Sequence, residues 1–172
     1  MTTRLKRLQM TDQASEDLLS TGTDHPGSRT FRAVLDTNVP IAAHLSRNSR
    51  SPTVELLERW RACEFTQLYS DDLLVELVEK FQARKIATDA ADRYVADLIV
   101  LGEYVAVTPE QMPAVIKADP DDDAILACAL VGGATHIVTY DPHFAVLGGV
   151  YQGIAILDGL HFLYVVRGDR RI

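Results

Sequence analysis

Between Asp119 and Asp141 the chain reads DPDDDAILACALVGGATHIVTYD. Four acids fall in its first five residues, and one more closes it after a stretch of small apolar residues. Carboxylates gathered in one place repel. Two unit charges 4 Å apart cost about 4 kcal/mol at an effective dielectric near 20, so such a cluster persists only with protons or cations between its members. Hard divalent cations take oxygen ligands, which points to Mg²⁺ or Mn²⁺, one ion or two. No Cys or His cluster accompanies these acids, and that disfavours a softer metal.

Two further acids belong with them. Asp36 follows the apolar run AVL and precedes Thr37 and Asn38, where a buried strand would end. Glu76 lies about two turns into the helical pattern SDDLLVELVEKFQARK. Singly, each acid has a plainer explanation. An Asp at a helix start is often only a cap, Glu76 could be a solvated helix residue, and Asp141 before Pro142 could merely begin a turn. Their joint placement is what the plain explanations do not cover.

The elements that must position these residues alternate. FRAVLDTN, TQLYS, EYVAVT, THIVTYD and the apolar run in GIAILDGLHFLYVV read as five strands. Between them lie helical patterns: VPIAAHL, SPTVELLERWRACEF with Ser51 as cap, SDDLLVELVEKF with Ser70 as cap, TDAADRYVADLIVLGE with Thr88 as cap, and DDDAILACALVGGA. The strands are almost continuously apolar, as strands covered on both faces are. The class expected is therefore α/β, a three-layer α/β/α sandwich with a mainly parallel five-stranded sheet, Rossmann-like in its winding. In such a sheet the working crevice lies outside the carboxyl ends of the strands. Asp36, the Asp119–Asp123 group, Asp141 and, from its helix, Glu76 can all reach that edge.

At these residues the sequence resembles the PIN-domain ribonuclease family, most closely its VapC-like branch of toxins from bacterial toxin–antitoxin pairs. The matching pieces are VLDTNV (34–39), SDDLLVELVEKF (70–81), DPDDDAILACALVGGATHIVTYDPHF (119–144) and a late apolar strand (154–157). The resemblance implies a nuclease cutting single-stranded RNA with Mg²⁺ or Mn²⁺. It places the family's four acids on Asp36, Glu76, Asp122 and Asp141, with Asp123 as the alternative to Asp122 and Glu79 as the weaker alternative to Glu76. Thr37, Asn38, Thr139, Asp119 and Asp123 would support the acids or the substrate. It further implies an RNA substrate, a small antitoxin protein and a homodimer as partners.

The remaining features bound this reading. The chain has 172 residues and a net charge of −7, so a sequence-independent grip on duplex is disfavoured. RNA contacts would come from local basic groups: Arg47 and Arg50 in SRNSRS, Lys80 and Arg84 in KFQARK. His143 and Phe144 either pack or stack on a base, while His44 and His136 read as structural. Cys63 and Cys128 read as reduced core or near-core thiols. No secretory signal or membrane-length apolar run is present, so a cytoplasmic location is the default. The organisation expected is an extension over 1–30, with a short helix in DQASEDLLS and a turn-rich STGTDHPGSRT, a nuclease-like domain over 31–165, and a tail over 166–172. Two other readings compete. A receiver- or phosphatase-like domain would want a lysine at a later strand end, where only Lys117 is near. A non-cleaving PIN-like scaffold binding RNA or protein would not need the full acid set.

Overall fold

The computed structural model describes residues 31–117, 119 and 121–169. The extension over 1–30, with its expected short helix, and residues 170–172 lie outside the described residues.

Six strands form one sheet in the order β3-β2-β1-β4-β6-β5. They are β1 (Phe31–Leu35), β2 (Phe65–Tyr69), β3 (Glu103–Tyr104), β4 (His136–Val138), β5 (Val150–Tyr151) and β6 (Ile154–Leu157). All pairings are parallel except β5 with β6. The helices are α1 (Asn38–Leu45), α2 (Pro52–Arg61), α3 (Asp71–Ala83), α4 (Thr88–Leu101), α5 (Asp122–Val131) and α6 (Gly159–Arg167). Chain order runs outward from β1 through β2 to β3 in one direction, and through β4 to β6 in the other. The crevice between the carboxyl ends of β1 and β4 is thus the switch point of the winding. Register places Leu35 opposite Val138 and Val138 opposite Leu157, so three strands end together there.

Both faces of the sheet are covered, which is why its central strands carry apolar residues without alternation. On one face Leu35, Leu56, Trp60, Phe65, Phe81, Tyr94, Leu98 and Phe162 form a core with α1, α2, α3, α4 and α6. On the other, Val34, Leu68 and Ile137 meet Ile125, Leu126, Cys128 and Ala129 of α5. Every residue of α5 from Asp122 to Ala129 is buried, so its lack of an apolar stripe is the signature of a helix enclosed on all sides. Ile125 and Leu126 each contribute about 1.5–3 kcal/mol by leaving water.

Several expectations need correction. The sheet has six strands, because a hairpin adds β5. Its two-residue turn, Gln152 (φ 46°) and Gly153 (φ 85°), has positive φ at both positions, the backbone that matches the twist of a tight hairpin. The expected third strand is cut to two residues at the sheet edge, with only the Val105 amide still reaching Tyr69 O at 2.8 Å. The closing segment is a full helix, α6, that runs to Arg167 and so past residue 165. Ser51 and Ser70 occupy N-cap positions but neither side chain makes a capping bond, and α4 is preceded by Ala87, with Thr88 its first residue. Cys128 is buried, whereas Cys63 is exposed on a left-handed turn just past α2. His44 packs on Phe81 and Tyr94, and His136 on Phe31 and Phe162. Among the described residues no helix is long and apolar enough to cross a membrane.

Candidate functional site

Asp36 is the first residue past β1, and its amide still bonds Val138 O at 2.9 Å, so its carboxylate stands over the β1/β4 crevice. It is 3% exposed. Oδ2 accepts from Asn38 Nδ2 at 2.7 Å and from the Thr139 hydroxyl at 2.5 Å, and Oδ1 accepts from the Asn38 amide at 3.3 Å. None of these donors is charged. Burial holds the carboxyl above its ordinary value, while the Thr139 and Asn38 bonds pull the other way. Thr139 cannot relax this arrangement, because its oxygen also accepts the Asp141 amide at 2.9 Å.

Thr37 links this acid to α3. Its hydroxyl lies 3.4 Å from both Asp36 Oδ1 and Glu76 Oε1, and it accepts from Lys80 Nζ at 3.2 Å. A hydroxyl has one proton, so it donates to one carboxylate at a time. Glu76 and Lys80 are four apart on α3, hence on one face, and they form an ion pair. Burial is the largest influence on Lys80 and lowers its affinity for protons. The Glu76 bond and the fields of Glu76, Asp36 and Asp122 outweigh it, and the ammonium ends above its ordinary value.

Asp122 and Asp141 approach from the other side. Asp122 opens α5 with its carboxylate Oδ2 3.0 Å from His143 Nδ1. Burial, reinforced by the charges of Asp141, Asp119 and Asp36, pushes its carboxyl up to about 6 against the opposing His143 bond. Asp141 caps the short 3-10 helix Pro142–Leu147, its Oδ1 accepting the His143 amide at 2.8 Å, and lies 3.2 Å from His143 Nδ1. The plain capping role and a place at the acid cluster thus coexist in one residue. His143 is held above its ordinary value by the Asp122 bond and then by the charges of Asp141, Asp122 and Asp119. Ligand-type atoms of Asp119, Asp122 and His143 lie within 4.8 Å of one another.

The neighbouring acids separate cleanly. Asp123 is 6% exposed and turned away from the cluster. It accepts the backbone amides of Val115 at 3.2 Å and Ile116 at 3.1 Å, tying down the loop before α5. That geometry does not bring it to the acids as support or substrate contact. Glu79 is exposed on α3. Of the basic candidates, Lys80 reaches the acids. Arg84 is exposed at the C-cap of α3 and Arg47 is exposed in the 46–51 loop. Arg50 borders a surface pocket of about 550 Å³ with Glu55, Glu58, Arg59, Glu64 and Arg167, none of them from the cluster. Two residues were missed in their present capacity. Lys80 is the cation paired inside the site, legible in its four-residue distance from Glu76. His143 bridges two acids, and only its place two residues after Asp141 hinted at that. Phe144, by contrast, is packed in the core.

Among the described residues, five carboxylates, those of Asp36, Glu76, Asp119, Asp122 and Asp141, therefore share a region with one lysine and one histidine. The surplus of negative charge and the oxygen-rich donor set fit a hard dication. The imidazole of His143 meets two carboxylates through Nδ1, at 3.0 Å from Asp122 and 3.2 Å from Asp141, and when protonated it is a partial counter-charge to them. A parallel α/β sheet with carboxylates gathered at its switch point has the form of a metal-binding hydrolytic domain. A profile for the PIN domain matches residues 32–143, and the chain belongs to that family, whose members are generally metal-dependent nucleases. The match ends before β5, β6 and α6, yet β6 pairs directly with β4 and β5 with β6, so those two strands complete the same sheet. No curated protein matches the chain.

Proposed function

We propose that the protein is a Mg²⁺- or Mn²⁺-dependent endoribonuclease that hydrolyses phosphodiester bonds of single-stranded RNA, and that it is the toxin component of a toxin–antitoxin pair. One observation carries the nuclease reading: carboxylates from the end of β1, α3, α5 and the segment after β4 converge at the sheet's carboxyl edge, and among the described residues the hydrogen-bond donors to Asp36, the most buried of them, are all uncharged. The RNA and toxin assignments rest on the sequence resemblance, and an antitoxin and a homodimer go with them as partners.

In this reading Asp36, Glu76, Asp122 and Asp141 hold the cation directly or through water. When bound, the ion lowers the pKa of its water and stabilises charge on the phosphate oxygens. The chain's own groups prepare the place for it. Thr139 and Asn38 fix the Asp36 carboxylate in one orientation, so the ligand geometry is set before binding. Lys80 stays charged beside Glu76 and can turn a remaining N–H toward a phosphate oxygen. His143 Nδ1 keeps Asp122 and Asp141 at a fixed separation. The test is a digest of a defined RNA pool by purified protein with and without Mn²⁺, the cut ends being sequenced, beside Asp36→Asn and Asp122→Asn. Cleavage that needs metal and both acids supports the nuclease. Metal-independent cutting, or none, refutes it. A small reading frame adjoining the gene, whose product binds this chain and suppresses cutting, would support the toxin role.

A further inference from the structure

Three tyrosines among the described residues are exposed: Tyr104 at 50%, Tyr140 at 46% and Tyr164 at 37%. Tyr104 is tethered through its hydroxyl to Asp71 at 2.9 Å and leans edge-on against Tyr69. Tyr164 lies on α6 beside His161. Tyr140 alone sits in the chain between two residues of the acid site, Thr139 and Asp141.

Its placement is built rather than incidental. The Tyr140 amide donates to Asn38 Oδ1 at 3.3 Å, and the same Asn38 side chain holds Asp36. The backbone under the ring is therefore fixed by the group that fixes the buried carboxylate. Thr139, just past β4, turns its hydroxyl to Asp36, whereas the Tyr140 ring lies against the start of α6. There the phenol rests on Gly159. A Cβ at 159 would stand 2.4 Å from the Tyr140 hydroxyl oxygen and 3.2 Å from Cζ, and 3.4 Å from Thr53 Cγ2. Glycine in the first turn of a helix is a poor choice for helix stability, and here its missing side chain is the space the ring occupies. One end of the ring is thus held while nearly half the residue stays open to solvent, at the rim of the carboxylate crevice.

We propose that Tyr140 is a substrate-contacting residue: its ring is the platform on which an unpaired nucleobase next to the scissile phosphate stacks. This rests on the nuclease reading. An aromatic face suits any base, so the platform selects for a strand whose bases are free rather than for a sequence, and a base locked in a duplex stack cannot use it. The acids neutralise nothing on the substrate by themselves and the chain is acidic overall, so stacking supplies affinity that basic groups do not.

The test uses a short single-stranded RNA with one mapped cut, and two further versions in which the nucleotide on either side of the cut is abasic. Tyr140→Ala and Tyr140→Leu are expected to raise KM roughly 5- to 100-fold, the range for losing one stacked base. They should leave kcat and the Mn²⁺-induced rise in Tm within about twofold. Tyr140→Phe and Tyr140→Trp should keep the parent KM within about threefold. One of the abasic substrates should raise KM for the parent protein by a similar factor and erase the difference between parent and Tyr140→Ala. A KM unchanged in both Ala and Leu variants overturns the proposal. So does a difference that persists on both abasic substrates, which would mark a structural role. A parent protein that cuts nothing with Mn²⁺ sinks the nuclease reading and this one with it, whereas a cutting parent with an indifferent Tyr140→Ala sinks the platform alone.

Discussion

Replacing Asp122 by Asn gives the sharpest check on the electrostatics of the crevice. The Asp122 carboxyl is pushed from 3.8 to about 6, mainly by burial and then by its acidic neighbours. Holding it ionised at neutral pH costs about 3 kcal/mol relative to the unfolded chain. That value already includes the opposing bond from His143. Asn is nearly the same size and its Oδ1 can still accept from His143, so metal-free protein carrying Asp122→Asn should be more stable than the parent at pH 7.5, by about 1–3 kcal/mol after allowance for solvent screening. For a chain of this length that is about 3–9 °C in Tm. The sign with pH follows from a folded-state pKa raised above the unfolded one. The parent keeps its full Asp122 contribution below about pH 4 and loses it as pH rises through 6. The gap between variant and parent should therefore be widest above pH 7 and close on acidification. Saturating Mn²⁺ should close or reverse the gap: at a hundred times Kd it adds about 2.7 kcal/mol to the parent, and the variant should keep little of that gain. Thermal unfolding in EDTA and in Mn²⁺, at pH 5 and pH 7.5, reads all of this. A variant less stable than the parent at both pH values without metal, or equally stabilised by Mn²⁺, would refute the account of a crevice under charge strain.

Other outcomes follow from the same geometry. Asp36→Asn should reduce RNA cleavage at least a hundredfold while leaving the circular dichroism spectrum unchanged, since the amide can still occupy the pocket made by Asn38 and Thr139. Asp123→Ala leaves the amides of Val115 and Ile116 without their acceptor, and should cost about 1–3 kcal/mol in denaturant unfolding while its Mn²⁺-induced Tm shift matches the parent's. Gln152→Gly should stabilise by roughly 0.5–1 kcal/mol by removing a side chain from left-handed backbone, measured as a shift in urea midpoint with unchanged slope.

The central architecture was legible because burial on two faces leaves a simple trace. Strands such as AVL and HIV carry no polar alternation, and helices such as α3 carry a stripe. What escaped were features decided by contacts between distant residues. The β5–β6 hairpin turns on Gln-Gly rather than the stronger Asn-Gly signal, so its positive φ values left little mark. Residues Glu103 to Thr108 have strand-like composition, but β3 has only β2 to pair with and ends after two residues. In DPDDD, composition alone could not say which carboxylate enters the crevice. Adjacent helix positions differ by about 100° in direction, and loop amides at 115 and 116 claimed Asp123, leaving Asp122 to His143. The role of His143 depends on α5 and the segment after β4 meeting, which no local pattern reports.

The sheet closes at both margins on strands of only two residues, β3 and β5. Its middle strands are so apolar that, left uncovered, they would invite another chain to join the ladder. Margins this short offer almost no run of open amides and carbonyls to copy. Among the described residues, self-association by ribbon-to-ribbon growth from these margins is thereby discouraged.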